Sequence, residues 1–111
     1  MTQLLDDLRA LDALFSDESK WTQGRWARAA NGRTIGPLTP NAVCWCLEGG
    51  AVKVANSGAS HRYARMCEAL NDATPRSAGN FVIWNDHALR KFHQVKALIA
   101  RAIATEEGRS S

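Results

Sequence analysis

Apolar residues near the start of the chain recur at the spacing of an amphipathic helix. They are separated by four, three and four positions, which places their side chains on one face of a helix. These residues are Leu4, Leu8, Leu11 and Phe15. Thr2 stands at the position of an N-cap, since its hydroxyl can accept a hydrogen bond from the first helical turn. The pattern therefore predicts a helix over residues 3–15 with one buried face.

Residues 25–36 carry a strong hairpin signal. Asn31-Gly32 is a dipeptide that favours a type I′ turn, because both central positions of that turn require positive φ. The residues on either side could form two short strands, or the whole stretch could be an ordered loop. A two-stranded hairpin is only marginally stable by itself, so we expect Trp21 and Trp26 to anchor this region on the helices.

Thr39-Pro40 has the pattern of a helix start, because threonine can cap a helix and proline fits the first helical position. The residues that follow predict a central helix over 42–55 that is apolar on nearly all sides. Gly49-Gly50 lies in its middle, where each glycine is unfavourable by about 1 kcal/mol relative to alanine. We expect either that another element approaches closely at this pair or that the helix breaks there.

Two further helices are predicted in the second half of the chain. One covers residues 59–72 and ends at a Thr-Pro pair, because the residue before a proline disfavours helix. The last helix begins after a cap at Asn85 or Asp86 and buries an apolar stripe. The stripe consists of Leu89, Phe92, Val95, Ile99 and Ile103. The apolar run 81–84 is too short for its spacing to distinguish a helix from a strand.

Together these elements predict a mainly α protein. About four helices pack as a small orthogonal or antiparallel bundle, with a short β-hairpin or ordered loop around residues 25–36. The length of 111 residues is typical of one domain. We therefore expect residues 1–111 to form a single domain, with a disordered end at residues 109–111.

The composition is that of a soluble protein, with 45% hydrophobic and 23% charged residues. No apolar run approaches the ~20 residues needed to span a bilayer, and the acidic N-terminus does not fit a signal peptide. Three cysteines are an odd number, so a disulfide framework is not expected. These features predict a cytoplasmic protein with no membrane contact.

Opposite charges are concentrated in the first two segments of the chain. Residues 1–20 carry five acids and two bases, a balance of −3, whereas residues 21–36 carry three arginines and no acid, a balance of +3. The two segments are therefore expected to attract each other. The net charge of +3 is mild for a nucleic-acid-binding protein, which usually presents a denser basic cluster.

The cysteines and histidines do not form a recognisable metal site. Cys44 and Cys46 are two positions apart, and on a helix their sulfurs would point about 200° apart. We interpret them as buried apolar cysteines, and we expect no metal and no cofactor. The alternative is a nucleophilic cysteine that uses His61, His87 or His93 as its base.

Trp26 lies between Arg25 and Arg28, a pattern that mixes stacking with positive charge. Such residues could bind a nucleic-acid strand, together with Arg33 and the basic faces of the last helix. They could equally belong to a hairpin whose tryptophan faces the core while its arginines face water. We favour the second interpretation.

Three motifs resemble an uncharacterised family of small bacterial and phage proteins, a domain of unknown function. In chain order they are Trp21-Thr22-Gln23-Gly24, then Cys44-Trp45-Cys46-Leu47 up to Gly49, and then Trp84-Asn85-Asp86. The resemblance covers most of the chain after residue 14. It implies a bacterial or bacteriophage origin, and it implies no activity.

The sequence favours binding over catalysis. No P-loop, G-x-G-x-x-G or G-x-S-x-G motif occurs. We therefore predict a small bacterial or phage accessory protein that acts as a protein-interaction module with an unidentified protein partner. The alternatives are a nucleic-acid-binding protein that uses the basic hairpin and last helix, and a cysteine-dependent hydrolase.

Six residues are candidates for a binding site: Trp21, Gln23, Trp26, Arg28, Trp45 and Asn85. Four of them, Trp21, Gln23, Trp45 and Asn85, are expected to form one polar and aromatic cluster where the hairpin meets the helices. Tryptophan and amide side chains suit such a cluster because each combines a packing surface with hydrogen-bonding groups. We prefer a structural role for this cluster to a ligand site.

Overall fold

The computed structural model describes residues 2–110. The fold is mainly α, as predicted, with five α-helices and one antiparallel pair of short strands among these residues. In chain order the elements are α1 (Gln3–Leu14), β1 (Ala27–Ala29), β2 (Ala42–Trp45), α2 (Leu47–Ala55), α3 (His61–Ala73), α4 (Phe81–Asp86) and α5 (Phe92–Ser110). Short 3₁₀ turns lie at Glu18–Lys20 and Arg76–Ala78.

The first helix forms as its apolar spacing predicts. The Thr2 hydroxyl accepts a hydrogen bond from the Leu5 amide at 3.1 Å, so it caps α1 as expected. All four residues of the predicted apolar face are buried, and the helix packs against α2, α3 and α5. α1 therefore lies at the centre of the hydrophobic core.

A turn forms at Asn31-Gly32, but it is not the predicted type I′ turn, and it belongs to a wider hairpin than expected. The Ala29 amide donates to the carbonyl of Arg33 at 2.9 Å, and φ is positive at Gly32 (+86°) but not at Asn31. A type I′ turn requires positive φ at both positions. The regular partner of β1, however, is β2, while the residues after the turn contribute only an isolated bridge at Thr34. The strand pair thus joins Ala27 with Trp45, 18 positions apart, and Arg28 with Cys44, 16 positions apart.

The predicted helix over 42–55 is wrong in its first part. Residues 42–45 form β2, and the helix begins at Leu47 with Cys46 as its N-cap. Thr39-Pro40 instead forms a turn, in which the Ala42 amide donates to the Thr39 carbonyl at 3.0 Å. Proline favours the second position of such a turn as well as the first position of a helix, so the local signal was ambiguous.

The Gly49-Gly50 pair marks a close approach, not a break. A Cβ atom on Gly49 would lie 1.9 Å from the carbonyl oxygen of Trp26, and one on Gly50 would lie 2.9 Å from the ring of Phe15. α2 continues through both positions and ends at Asn56, which adopts a left-handed conformation with φ of +56°. The glycines therefore allow the β1 strand and α1 to pack directly on α2.

Two predictions about the C-terminal half are wrong. Asn85 and Asp86 do not cap the last helix; they end α4, a six-residue helix whose own cap is Asn80. Leu89 is 77% exposed and lies before α5, so it does not belong to the buried stripe. The run 81–84 was too short to be assigned, and it forms the first part of α4.

The charges of the first helix pair differently from expectation. The last helix extends to Ser110 and position 111 lies outside the described residues, so the disorder predicted for 109–111 stays a prediction. The acids of α1 do not pair with the arginines of residues 21–36. Asp7 pairs with Arg62 of α3 and Asp12 with Lys96 of α5, both at 2.8 Å.

Candidate functional site

Asn85 is the centre of a buried hydrogen-bonded junction between the strand region and the helices. Its side-chain oxygen accepts from the indole N–H of Trp21 at 2.8 Å and from the amide of Leu47 at 3.3 Å. Gln23 donates to the Asn85 carbonyl at 2.8 Å. Trp45 contacts this group through its backbone carbonyl, which accepts from the Thr22 amide at 2.9 Å, whereas its indole N–H donates to the Pro37 carbonyl at 3.0 Å. We call this group the Asn85 junction; it contains Trp21, Gln23, Trp45, Leu47 and Asn85.

The buried polar groups of the junction are all used within the protein. The side-chain amide of Asn85 donates to Asp86 at 2.8 Å and to the Thr22 carbonyl at 3.4 Å. Among residues 2–110, no buried side-chain nitrogen or oxygen lacks a hydrogen-bond partner. This geometry supports a structural role, because a satisfied network leaves no group to recognise a ligand. A ligand-binding role for the four clustered residues stays a prediction.

Trp26 and Arg28 are oriented opposite to the favoured interpretation. Ala27 is completely buried, so the alternation of a strand turns its two neighbours to the other face. The Trp26 ring is 48% exposed and its indole N–H donates to Glu48 at 2.6 Å. Arg28 is half-buried and donates to the Thr22 hydroxyl and to two backbone carbonyls, so it fastens the hairpin.

Cys46 and Cys67 have the properties of packed thiols, whereas Cys44, predicted to be buried on a helix, is only partly buried and lies on β2. Cys46 is buried and its sulfur accepts from the Gly49 amide at 3.3 Å; burial raises its pKa to about 11. Burial also raises the pKa of Cys67. A nucleophilic cysteine needs a lowered pKa, and in the described part of the chain no hydrogen bond joins a cysteine to an imidazole. The geometry therefore gives the cysteine-dependent hydrolase no support.

Residues 2–110 contain neither a metal-binding cluster nor a helix that could span a membrane. No group of three or more histidine, cysteine, aspartate or glutamate side chains is placed to hold a metal ion. None of the helices in this range combines the length and the apolar character that crossing a bilayer requires.

An open groove of about 550 Å³ lies between α3 and α4 and reaches the first turn of α2. Its walls are tied together by Asn71 of α3, whose side-chain oxygen accepts from the Phe81 amide at 2.9 Å. Three carboxylates line it, those of Glu48, Glu68 and Asp72, and none of its lining residues is lysine, arginine or histidine. We call it the acidic groove.

Glu48 holds two aromatic residues at one end of the acidic groove. One carboxylate oxygen accepts from Trp26 at 2.6 Å, and the other accepts from the Tyr63 hydroxyl at 2.9 Å. Burial, together with the hydrogen bonds of Cys67 and Glu48, raises the pKa of Tyr63, so the phenol remains a donor. The exposed Trp26 residue is thus held beside Glu48, a lining residue of the groove, by a hydrogen bond.

Sequence reasoning missed this groove. Glu68 and Asp72 are four positions apart on α3, and residues at this spacing share one face of a helix. Two like charges there with no intervening cation were the available signal, but the pattern is also that of an ordinary solvated face. The apolar wall comes from Phe81 and Val82, whose element could not be assigned from sequence.

The sequence model of a family of unknown function, DUF6197, matches residues 1–105. The chain therefore belongs to that family, which agrees with the resemblance to an uncharacterised domain. No curated protein and no solved structure matches the chain significantly.

Proposed function

We propose that this member of DUF6197 is a protein-interaction module that binds a basic peptide segment in the acidic groove. The observation that carries the proposal is the charge of the groove. Three carboxylates line it without a cationic side chain, although the protein as a whole has a net charge of +3. Such a surface attracts lysine and arginine side chains of a partner.

The carboxylates of Glu68 and Asp72 are free to meet a partner. Both residues are exposed, and neither takes part in an ion pair or hydrogen bond with another residue of the described range. By contrast, Asp7 and Asp12 of α1 are already paired with cations. Free carboxylates on a concave wall can each accept a charge-assisted hydrogen bond from arginine or lysine.

The dimensions of the groove suit a short segment of extended chain. Tyr63 and Asp72 are nine positions apart on α3, a rise of about 13.5 Å at 1.5 Å per residue. Four residues of extended peptide cover a similar length at about 3.3 Å each. Phe81 and Val82 supply an apolar wall, and the exposed ring of Trp26 can stack on a guanidinium. The expected ligand therefore mixes basic and apolar residues.

A direct test uses two labelled octapeptides and fluorescence anisotropy at low ionic strength. In one peptide arginine alternates with leucine, and in the other glutamate replaces every arginine. We expect only the arginine peptide to bind, and its affinity to fall as salt rises. The double variant Glu68→Gln, Asp72→Asn should weaken binding about fivefold, from up to about 1 kcal/mol lost over two exposed ion pairs.

The matched control removes one aspartate and one glutamate outside the groove. Asp6→Asn with Glu18→Gln changes the net charge equally, and both residues are exposed. Its affinity for the arginine peptide should stay within about twofold of the unmodified protein. Equal loss in the two double variants, or equal binding of both peptides, would refute the groove as the binding site.

The nucleic-acid alternative loses part of its basis on the hairpin. The guanidinium of Arg28 already donates to three acceptors within the protein, which leaves Arg25 and Arg33 as the exposed cations there. The remaining basic residues of that hypothesis lie at the start of α5. The hypothesis predicts a gel shift with single-stranded DNA at low salt that weakens as the salt concentration rises. If no shift appears at low salt, or if salt does not change it, the hypothesis is eliminated.

A further inference from the structure

We propose that a second hollow, at the start of α5, binds a phosphate group. Its volume is about 220 Å³, and it is separate from the acidic groove. Polar and aromatic lining comes from Trp84, Arg90, His93, Gln94 and Arg101, and the remaining lining is apolar. No carboxylate lines it. We call it the cationic hollow.

Arg90 is held in place on the wall of the hollow. Its guanidinium carbon lies 4.0 Å from the centre of the Trp84 ring, a cation–π contact. Its Nε donates to the Trp84 carbonyl at 2.8 Å and one terminal nitrogen donates to Gln94 at 3.2 Å. The other terminal nitrogen makes no hydrogen bond within residues 2–110. The side chain is therefore ordered before a ligand arrives, which reduces the entropy lost on binding.

Arg101 provides the second charge. One of its terminal nitrogens donates to the carbonyl of Ala73 at 2.9 Å, which tethers the side chain to the end of α3. Within the described range, no carboxylate oxygen lies within 4 Å of Arg90 or Arg101. Arg90 and Arg101 thus line one hollow without a carboxylate in ion-pair distance, so an anion bound there would meet two positive charges that no acidic side chain neutralises.

The surrounding charges do not neutralise this pair. Glu18 lines an adjoining depression together with Arg90, Lys91 and His93, where cations outnumber the single carboxylate. The planar fork of arginine matches the oxygens of phosphate, which it binds with paired hydrogen bonds. Each arginine keeps one terminal nitrogen free of hydrogen bonds within the described residues, and a phosphate offers more acceptor oxygens to the two side chains than a carboxylate or a halide does.

The size of the hollow restricts the ligand. Pockets for drug-sized molecules usually measure about 300–1,000 Å³, so the 220 Å³ of this hollow is too little to enclose a whole nucleotide. A phosphate group with a short organic part fits this description, and so does one phosphate of a nucleic-acid strand whose remainder lies outside. The shared chemistry is a single phosphate flanked by two arginines.

The experiment is a titration of the isotope-labelled protein followed by NMR at constant low ionic strength. The probes are inorganic phosphate, glycerol phosphate, and decathymidylate with or without a 5′-phosphate. We expect inorganic phosphate to shift the Arg90 Nε–H and Trp84 indole signals. If the hollow binds backbone phosphates, decathymidylate will shift these signals equally with or without a 5′-phosphate. If it binds terminal phosphates, only the 5′-phosphorylated form will shift them.

Arg101→Gln is the main variant, because its side chain is exposed and has one tether. We expect it to weaken phosphate binding at least about fivefold, the effect of losing one charge-assisted contact. Arg65→Gln on α3 is the control, since it removes the same charge from an exposed helix surface away from the hollow. Its affinity should stay within about twofold of the unmodified protein.

Arg90→Lys keeps the positive charge but removes the planar guanidinium group, so it should also weaken phosphate binding. The melting temperature of this variant is measured alongside, to show that it folds. If Arg90→Lys fails to fold, Arg101→Gln alone decides. Absence of any shift with phosphate, or equal losses in Arg101→Gln and Arg65→Gln, would overturn the proposal. These outcomes do not depend on the acidic groove, because the variants of the peptide assay change neither Arg90 nor Arg101.

Discussion

The Asn85 junction and the acidic groove both combine polar side chains with aromatic rings, but they differ in what those polar groups contact. Asn85 is 1% exposed and bonds to Trp21, Gln23 and Leu47 within the protein. In the groove, Glu68 and Asp72 are exposed and free of ion pairs with the described residues. A polar cluster that satisfies itself stabilises the fold, whereas one left open can recognise a partner.

The residues that stand out in the sequence are therefore different from those that are open to a partner in the structure. The junction contains the tryptophan and amide residues that stand out in the sequence, and its geometry is that of a structural connection. The groove consists of residues typical of any helix surface. Substitutions at the junction should therefore change stability, and substitutions in the groove should change binding.

The largest expected effect lies where Trp26, the residue before β1, contacts α2 at Gly49. A methyl group on Gly49 would lie 1.9 Å from the carbonyl oxygen of Trp26, so Gly49→Ala must push a strand off a helix. We expect a loss of about 3 kcal/mol or more in the free energy of unfolding, measured by urea denaturation. Gly108→Ala is the control, because a Cβ there meets nothing within 4 Å. It should leave the protein equally stable or slightly more so.

The next largest effect is at the centre of the junction. Asn85→Ala leaves the Trp21 indole and the Leu47 amide without their acceptor, and we expect a loss of about 2–3 kcal/mol. Asn41→Ala, an exposed asparagine in the turn before β2, should change stability by less than about 0.5 kcal/mol. If the two asparagine variants were equally stable, the junction would not be the structural connection that its geometry indicates.

A smaller effect should appear as a pH dependence. Burial raises the pKa of Cys46 from 9.0 to about 11, so the unfolded chain releases this proton at lower pH than the folded chain. The stability that this thiol contributes is complete below about pH 9 and is lost as the pH rises toward 11. Over this range we expect about 1–2 kcal/mol of loss from this group.

Cys46→Ser isolates that contribution. Serine is a favoured N-cap, so its hydroxyl can replace the sulfur as acceptor for the Gly49 amide. The variant has no titrating group at this position, and its stability should fall less steeply between pH 9 and 11 than that of the unmodified protein. If the unfolding free energies of the variant and the unmodified protein, measured by urea denaturation, fell equally between pH 9 and 11, Cys46 would be as accessible to solvent as the open side chains of the groove.

Elements with local signals were predictable, and elements that depend on distant contacts were not. The spacing of Leu4, Leu8 and Leu11 is enough to define α1, because helix periodicity is a local property. β2 was predicted as helix because Thr39-Pro40 suits both a turn and a helix start. Only its pairing with β1 selects the strand, and strand pairing between distant residues leaves little local trace.

The Asn85 junction and the acidic groove also differ in how far the sequence predicts them. The side chains of Trp21, Gln23 and Asn85 could be grouped from their types, since buried indole and amide groups need partners, whereas the Trp45 indole donates to Pro37 instead. The element that contains Asn85 was misjudged, because α4 has only six residues, too few to show a helical period. The acidic groove forms only when Phe81 and Val82 pack beside α3, so no local pattern distinguishes its carboxylates from a solvated helix face.

The smallest expected effect sharpens the comparison most. Glu68→Gln with Asp72→Asn removes two carboxylates that have no ion-pair partner in the described range, so the free energy of unfolding should change by less than about 0.5 kcal/mol. Asp7→Asn removes one carboxylate that is 3% exposed and accepts from Arg62 at 2.8 Å. Because Arg62 is itself half-exposed, we expect a loss of about 1–2 kcal/mol there, less than for a fully buried pair. A double groove variant as unstable as Asp7→Asn would mean that its carboxylates already stabilise the fold, and the acidic groove would then be a structural feature like the Asn85 junction.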